Sequence, residues 1–64
     1  MLINGQEYSL SQPLALSQLL AEQGYRENLV AVELNGTIVK RSNYPSTMLT
    51  DADRLEIVSF VGGG

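Results

Sequence analysis

Large apolar side chains recur along the chain with two different periods. Met1-Leu2-Ile3 runs into Asn4-Gly5, after which Gln6 to Leu10 alternates polar with large residues in the manner of a half-buried strand. Asn-Gly is the strongest short hairpin signal, because a type I′ turn requires positive φ at both central positions, so the spacing predicts a first hairpin. Ser11-Gln12-Pro13 breaks that pattern. Leu16, Leu19 and Leu20 then follow at helical spacing and predict one helix from Ala15 to Gln23, with Gly24 placed for the left-handed cap conformation. Either Ser11 or Ser17 caps its start, and Tyr25 is placed to pack back on its last turn.

The second half returns to strands. Leu29 to Leu34 is β-rich, Asn35-Gly36 supplies a second hairpin turn, and Thr37-Ile38-Val39-Lys40 returns antiparallel. Between Arg41 and Thr50 the polar and proline content predicts irregular structure, with Tyr44, Met48 and Leu49 tucked over the edge of the core. Asp51-Ala52-Asp53-Arg54 turns the chain, Leu55 to Val61 reads as a strong strand, and Gly62-Gly63-Gly64 follows. Alternate aspartates at 51 and 53 are read as turn residues rather than a calcium loop, since the loop glycine and the distal glutamate are missing. Hairpin, helix, hairpin, crossover and last strand define an α+β domain in which one helix covers a mixed sheet of roughly five strands, the β-grasp arrangement. The last strand is expected at the centre, between the first and third and parallel to the first. Residues 1–61 form the domain and residues 62–64 a tail.

Composition narrows the chemistry. The chain has 64 residues and neither cysteine nor histidine, which excludes disulfides, Cys/His metal centres and Cys–His or Ser–His nucleophile pairs. A net charge of −3 with four scattered basic residues argues against nucleic acid, whose phosphates need clustered cations. No apolar run approaches the roughly 20 residues of a membrane span, and no basic leader precedes the first strand, so a cytoplasmic protein is expected.

The glycine run is the sharpest feature. It cannot cradle a phosphate, because no helix follows it. Three extended glycines reach about 10 Å, and without Cβ atoms they pass a channel too narrow for other residues. Their passenger is the Gly64 α-carboxylate, ionised at neutral pH and inert until activated. Attack on the α-phosphorus of ATP gives an acyl-adenylate, and a sulfide nucleophile converts that to a thiocarboxylate. A chain of this kind is a carrier rather than an enzyme, with catalytic groups in its partners. Strand parity places Leu55 and Ile57 under the helix and leaves Glu56, Val58 and Phe60 on the opposite face, a candidate docking patch unless Tyr44 or Met48 covers Phe60. Glu33 joins Glu56 on that face, with Val30, Val32 and Leu34 inside, and a basic rim on a partner would complement it.

The opening MLINGQ, the helix LSQLL, the hairpin AVELNGTIV, the segment TDADRLEIVSFV and the ending VGGG resemble the ThiS family, the sulfur carriers of thiamine thiazole biosynthesis. The likeness covers essentially the whole chain. A Gly-Gly end is shared with ubiquitin-like modifiers and with the molybdopterin synthase small subunit, which are the alternatives; the tail lacks ubiquitin's arginines and the chain lacks the longer loops of the latter. The resemblance implies that Gly64 is adenylated by a ThiF-like adenylyltransferase using ATP, and receives sulfur from a cysteine desulfurase or persulfide donor. It further implies that Gly64 gives that sulfur to ThiG, the thiazole synthase. Gly63 and Gly64 match the family's terminal pair and Gly62 an extra glycine of some members. Ala52 departs from the pattern, standing where many members carry glycine. The resemblance implies no cofactor bound by the chain itself.

Overall fold

The computed structural model describes residues 1–60. The expected strand end at Val61 and the tail Gly62, Gly63 and Gly64 lie outside the described residues. β1 (Leu2–Ile3) and β2 (Gln6–Glu7) form the first hairpin, and β4 (Val30–Leu34) and β5 (Thr37–Val39) the second. Asn4 and Gly5 have φ of 51° and 82°, and Asn35 and Gly36 have φ of 52° and 86°, so both turns have the positive pair that Asn-Gly favours. β7 (Arg54–Ser59) completes a five-stranded sheet in the order β2-β1-β7-β4-β5. It runs parallel to β1, with Leu2 opposite Arg54 and Ile3 opposite Leu55, and antiparallel to β4 from Val30–Ser59 to Leu34–Leu55. The expected central position and direction of the last strand are therefore observed.

Among the described residues the single α-helix, α1 (Leu16–Glu22), lies on one face of this sheet. Leu16, Leu19 and Leu20 are buried with Ile3, Val30, Val32, Leu55 and Ile57 in one core. Each such aliphatic side chain contributes about 1.5–3 kcal/mol on full burial, which is how a chain this short holds together without a staple. The helix ends as its glycine predicts. Gly24, at φ 82°, donates its N–H to the Ala21 carbonyl at 3.1 Å, and Tyr25 donates to the Leu20 carbonyl at 2.8 Å. That pair of bonds is the Schellman arrangement, and it brings half-buried Tyr25 back against the core.

The helix start differs from both expected caps. Ala15 occupies the N-cap position with no side-chain hydrogen bond, and neither Ser11 nor Ser17 caps. The reason is tertiary. Leu14–Ala15 forms a two-residue strand, β3, paired antiparallel with β6 (Met48–Leu49), and the Leu16 N–H donates to the Thr47 carbonyl at 2.8 Å. A neighbouring backbone thus satisfies one of the orphan donors of the first turn. Ser17 sits inside the first turn with its Oγ buried and unpartnered. Ser17→Ala should therefore raise stability, by about 0.5–1 kcal/mol, because it removes a desolvated hydroxyl and improves helix propensity. Urea denaturation measures the shift.

The 41–50 segment is more regular than its composition suggests. Arg41–Ser46 is a 3₁₀ helix containing Pro45, followed by β6. Tyr44 does not lie over the edge of the core but inside it, 1% exposed, beside fully buried Leu49, whereas Met48 points to solvent. Other boundaries shift too: β2 covers only Gln6–Glu7 of the expected Gln6–Leu10, β5 stops at Val39, and Leu29 closes a short 3₁₀ turn, Glu27–Leu29, before β4 begins at Val30.

Candidate functional site

Alternation along β7 divides its side chains between two environments. Leu55 and Ile57 are buried under α1, while Glu56, Val58 and Phe60 are exposed on the helix-free face. Val58 is 59% and Phe60 56% exposed, so neither Tyr44 nor Met48 covers the phenyl ring. The register extends this face across the sheet. Ala31 stands directly opposite Val58, and the Phe60 N–H donates to the Leu29 carbonyl at 2.6 Å, which sets exposed Leu29 beside the ring. Ile38 of β5, opposite Glu33, is 62% exposed on the same face. An apolar row of Leu29, Ala31, Val58 and Phe60, with Ile38 at its flank, is therefore open to solvent in a chain with a small core. Exposure of that kind makes this face the candidate interaction surface.

The expected group of Glu56, Val58 and Phe60 is thus brought to one face, and Glu33 joins it as parity indicates. Leu29, Ala31 and Ile38 add three apolar side chains to the expected patch: Leu29 comes from a turn, Ala31 follows from its place between inward Val30 and Val32, and Ile38 from its alternation with inward-facing Val39, the partner of Val32.

Electrostatics mark the other end of the face. Glu33 and Glu56 are directly opposed across β4 and β7. Like charges so placed destabilise a sheet by roughly 0.2–1 kcal/mol. The one ion pair among the described residues joins the Met1 ammonium to Asp51, so neither glutamate has a cation within ion-pair distance there. A shallow depression beside them is lined by Glu33, Asn35, Gly36, Ala52, Arg54 and Glu56. The arrangement is an apolar row ending in two unneutralised carboxylates.

The aspartates of the 51–54 turn do structural work. Asp53 accepts a hydrogen bond from the Asn35 side-chain amide at 3.0 Å and from the Thr50 N–H at 2.8 Å. The Asn35 bond, then the Thr50 bond, hold its carboxyl below the usual carboxylate range. Asp51 accepts from the Leu10 N–H at 2.9 Å and from the Met1 ammonium at 3.2 Å. Its carboxyl too is held low, chiefly by the Leu10 bond. Both carboxylates point at protein donors, in keeping with a turn rather than a calcium loop. Among the described residues no cluster of three or more acidic side chains could hold a metal ion, and no helix is long and apolar enough to cross a membrane. Ala52 fits its turn without left-handed backbone, so the absent glycine leaves no strain there.

A mixed sheet in this order, wrapped on one helix with the last strand at its centre, is the β-grasp architecture of small ubiquitin-like proteins. The crystal structure of a thiamine biosynthesis protein (ThiS) from Geobacter metallireducens superposes with a TM-score of 0.83, at 30% identity, over 98% of this chain and 96% of that one. Residues 1–64 match the ThiS family model, and the chain belongs to that family. It is 36% identical to the sulfur carrier protein ThiS of Bacillus subtilis over 97% of this chain and 96% of that protein. It is also 44% identical, over its whole length, to part of the thiazole synthase of Paramagnetospirillum magneticum, of which it spans 20%.

Proposed function

We propose that this chain is a sulfur carrier of thiamine biosynthesis that works through the α-carboxylate of Gly64 and docks its partners with the helix-free face of the sheet. Membership of the ThiS family supports the role, as does the likeness to the sulfur carrier protein of B. subtilis. The observation that carries the docking assignment is the position of β7. The strand that leads toward Gly62, Gly63 and Gly64 lies in the middle of the sheet, and it presents Val58 and Phe60 to solvent immediately before them. One partner surface can therefore engage the patch and take up the glycines together.

The chemistry belongs to the partners. A ThiF-like adenylyltransferase brings the Gly64 carboxylate to ATP; a carboxylate oxygen forms a bond to the α-phosphorus and pyrophosphate leaves. A sulfur nucleophile equivalent to hydrosulfide then adds to the adenylate carbonyl, AMP leaves, and the thiocarboxylate remains. Where the sulfur arrives as the persulfide of a desulfurase, AMP departure leaves an acyl disulfide, and a thiol cleaves its S–S bond to release the thiocarboxylate with formation of a new disulfide. Likeness to a segment of a protein named thiazole synthase supports ThiG as the sulfur acceptor. Fixing the backbone of three residues costs about 3–6 kcal/mol in general, a cost of the size that burial of the apolar face can offset on docking. A basic rim on the partner would meet Glu33 and Glu56 and speed encounter.

Intact-mass spectrometry tests the carboxylate assignment. After incubation with an adenylating enzyme of the ThiF type, ATP and a sulfur donor, the chain should gain the mass difference of one sulfur for one oxygen. Deleting Gly64 should abolish the gain. An unchanged mass with an enzyme that is active on another carrier rejects the reading, and covalent adducts on lysines in place of the gain would point to a protein modifier.

A further inference from the structure

β7 is paired unequally along its two flanks. Toward β4 the ladder runs on to the Val30–Ser59 pair and the Phe60 N–H, which donates to the Leu29 carbonyl. Toward β1 the backbone ladder stops early, at Ile3 opposite Leu55 and the Asn4 N–H donating to the Leu55 carbonyl at 2.9 Å, because the chain turns away at Asn4-Gly5. The next peptide groups facing that flank belong to Ile57. The Asn4 side chain meets both of them: Oδ1 accepts from the Ile57 N–H at 2.7 Å, and Nδ2 donates to the Ile57 carbonyl at 3.2 Å.

A primary amide carries the same donor and acceptor as a peptide unit, so Asn4 adds a rung where the strand itself has ended. The turn alone does not demand asparagine. Positive φ at this position is served by aspartate or glycine as well, but only asparagine of the three offers both a donor and an acceptor. The rung falls at the last point where β7 is held from both sides among the described residues. Beyond it lie Val58 and Phe60 of the docking face and then the glycines.

We infer that Asn4 is a positioning residue for the reactive end: by holding both Ile57 peptide groups, it fixes the part of β7 that presents Val58 and Phe60, and so the base from which Gly64 is offered while the outer face is docked. The inference rests on the proposal that the Gly64 carboxylate is the group activated. Asn35 provides an internal control. It occupies the same kind of turn and clasps the same strand, with Oδ1 accepting from the Arg54 N–H at 2.9 Å and Nδ2 donating to Asp53, but it does so at the end of β7 remote from the glycines. A clasp that only stabilises the fold acts alike at either end. One that aims the reactive end acts only from Asn4, because activation depends on the carboxylate reaching the α-phosphorus in attack geometry and small misplacements are costly there.

The test is ATP-dependent pyrophosphate release by the adenylating enzyme with wild-type, Asn4→Gly and Asn35→Gly carriers, at a temperature where circular dichroism shows each folded. Both substitutions keep the turn. For Asn4→Gly the expected result is a kcat about five- to tenfold lower with KM within about twofold of wild type, and for Asn35→Gly both constants within about twofold. Should Asn4→Gly not fold, Asn4→Asp keeps the turn and an acceptor for the Ile57 N–H but loses the donor, and the same split is expected. Equal losses at the two positions, or an unchanged kcat without the Asn4 amide, overturn the inference. Failure of the wild-type chain to release pyrophosphate overturns instead the carboxylate assignment beneath it.

Discussion

Leu55→Ala should leave the domain at or below the edge of folding. Leu55 is fully buried at the centre of the sheet, opposite Ile3 on β1 and Leu34 on β4 and beneath α1. Removing a buried leucine side chain costs about 2–5 kcal/mol, from lost transfer free energy and the cavity left behind. Marginal stability of roughly 0.05–0.15 kcal/mol per residue gives a chain of this length only about 3–10 kcal/mol in all. The loss therefore consumes a large share, with little chance of collapse around the gap, since β7 is pinned by neighbours on both sides. Thermal unfolding followed by circular dichroism should show a fall of well over 10 °C, on a scale of about 4–8 °C per kcal/mol for small domains. A fall of a few degrees would mean that the core repacks far more easily than its geometry suggests.

Phe60→Asp should have the opposite profile: an unchanged melting temperature and a docking constant weakened more than about tenfold. The ring is more than half exposed, so the free domain gives up little on losing it. In a complex the same position would be enclosed by the partner, and truncation of such an aromatic anchor typically costs 2 kcal/mol or more, to which a desolvated unpaired charge adds. Val58→Asp should act in the same direction, and Ile38→Asp more weakly from the flank of the row. Titration calorimetry of each variant with the adenylating enzyme measures the effect. Normal binding by both Phe60→Asp and Val58→Asp would move the docking site to another face.

Most of the architecture is legible in the sequence because its signals are local. Asn4-Gly5 and Asn35-Gly36 have the φ pairs that their turns require, Gly24 ends the helix with Tyr25 behind it, and alternation along residues 55–60 assigns the two faces of the central strand. What escapes is tertiary in origin. β3 and β6 have two residues each, too few to show a period, and they exist because Leu14 meets Leu49 across the chain. That pairing in turn displaces the serine cap. Tyr44 sits in a 3₁₀ helix with Pro45, where neither the helical nor the strand period operates, so its full burial leaves no trace in the pattern. For the candidate site, the shared exposed face of Glu56, Val58 and Phe60 follows from parity. The second use of Asn4 was hidden, since its partner is 53 positions away and the turn already accounted for the residue.

The place of β7 in the sheet also governs when the molecule can exist. β1 and β4 are not neighbours; each completes its pairing only against residues 54–59. A growing chain on the ribosome therefore carries two separate hairpins and an exposed amphipathic helix until residues 54–59 have been made, and long-range closure of this kind is slow. Among the described residues, the strand latest in the chain is the one on which the others depend. A chain cut short before residue 54 keeps its hairpins but has no five-stranded sheet and lacks Val58 and Phe60, so it cannot present the apolar row.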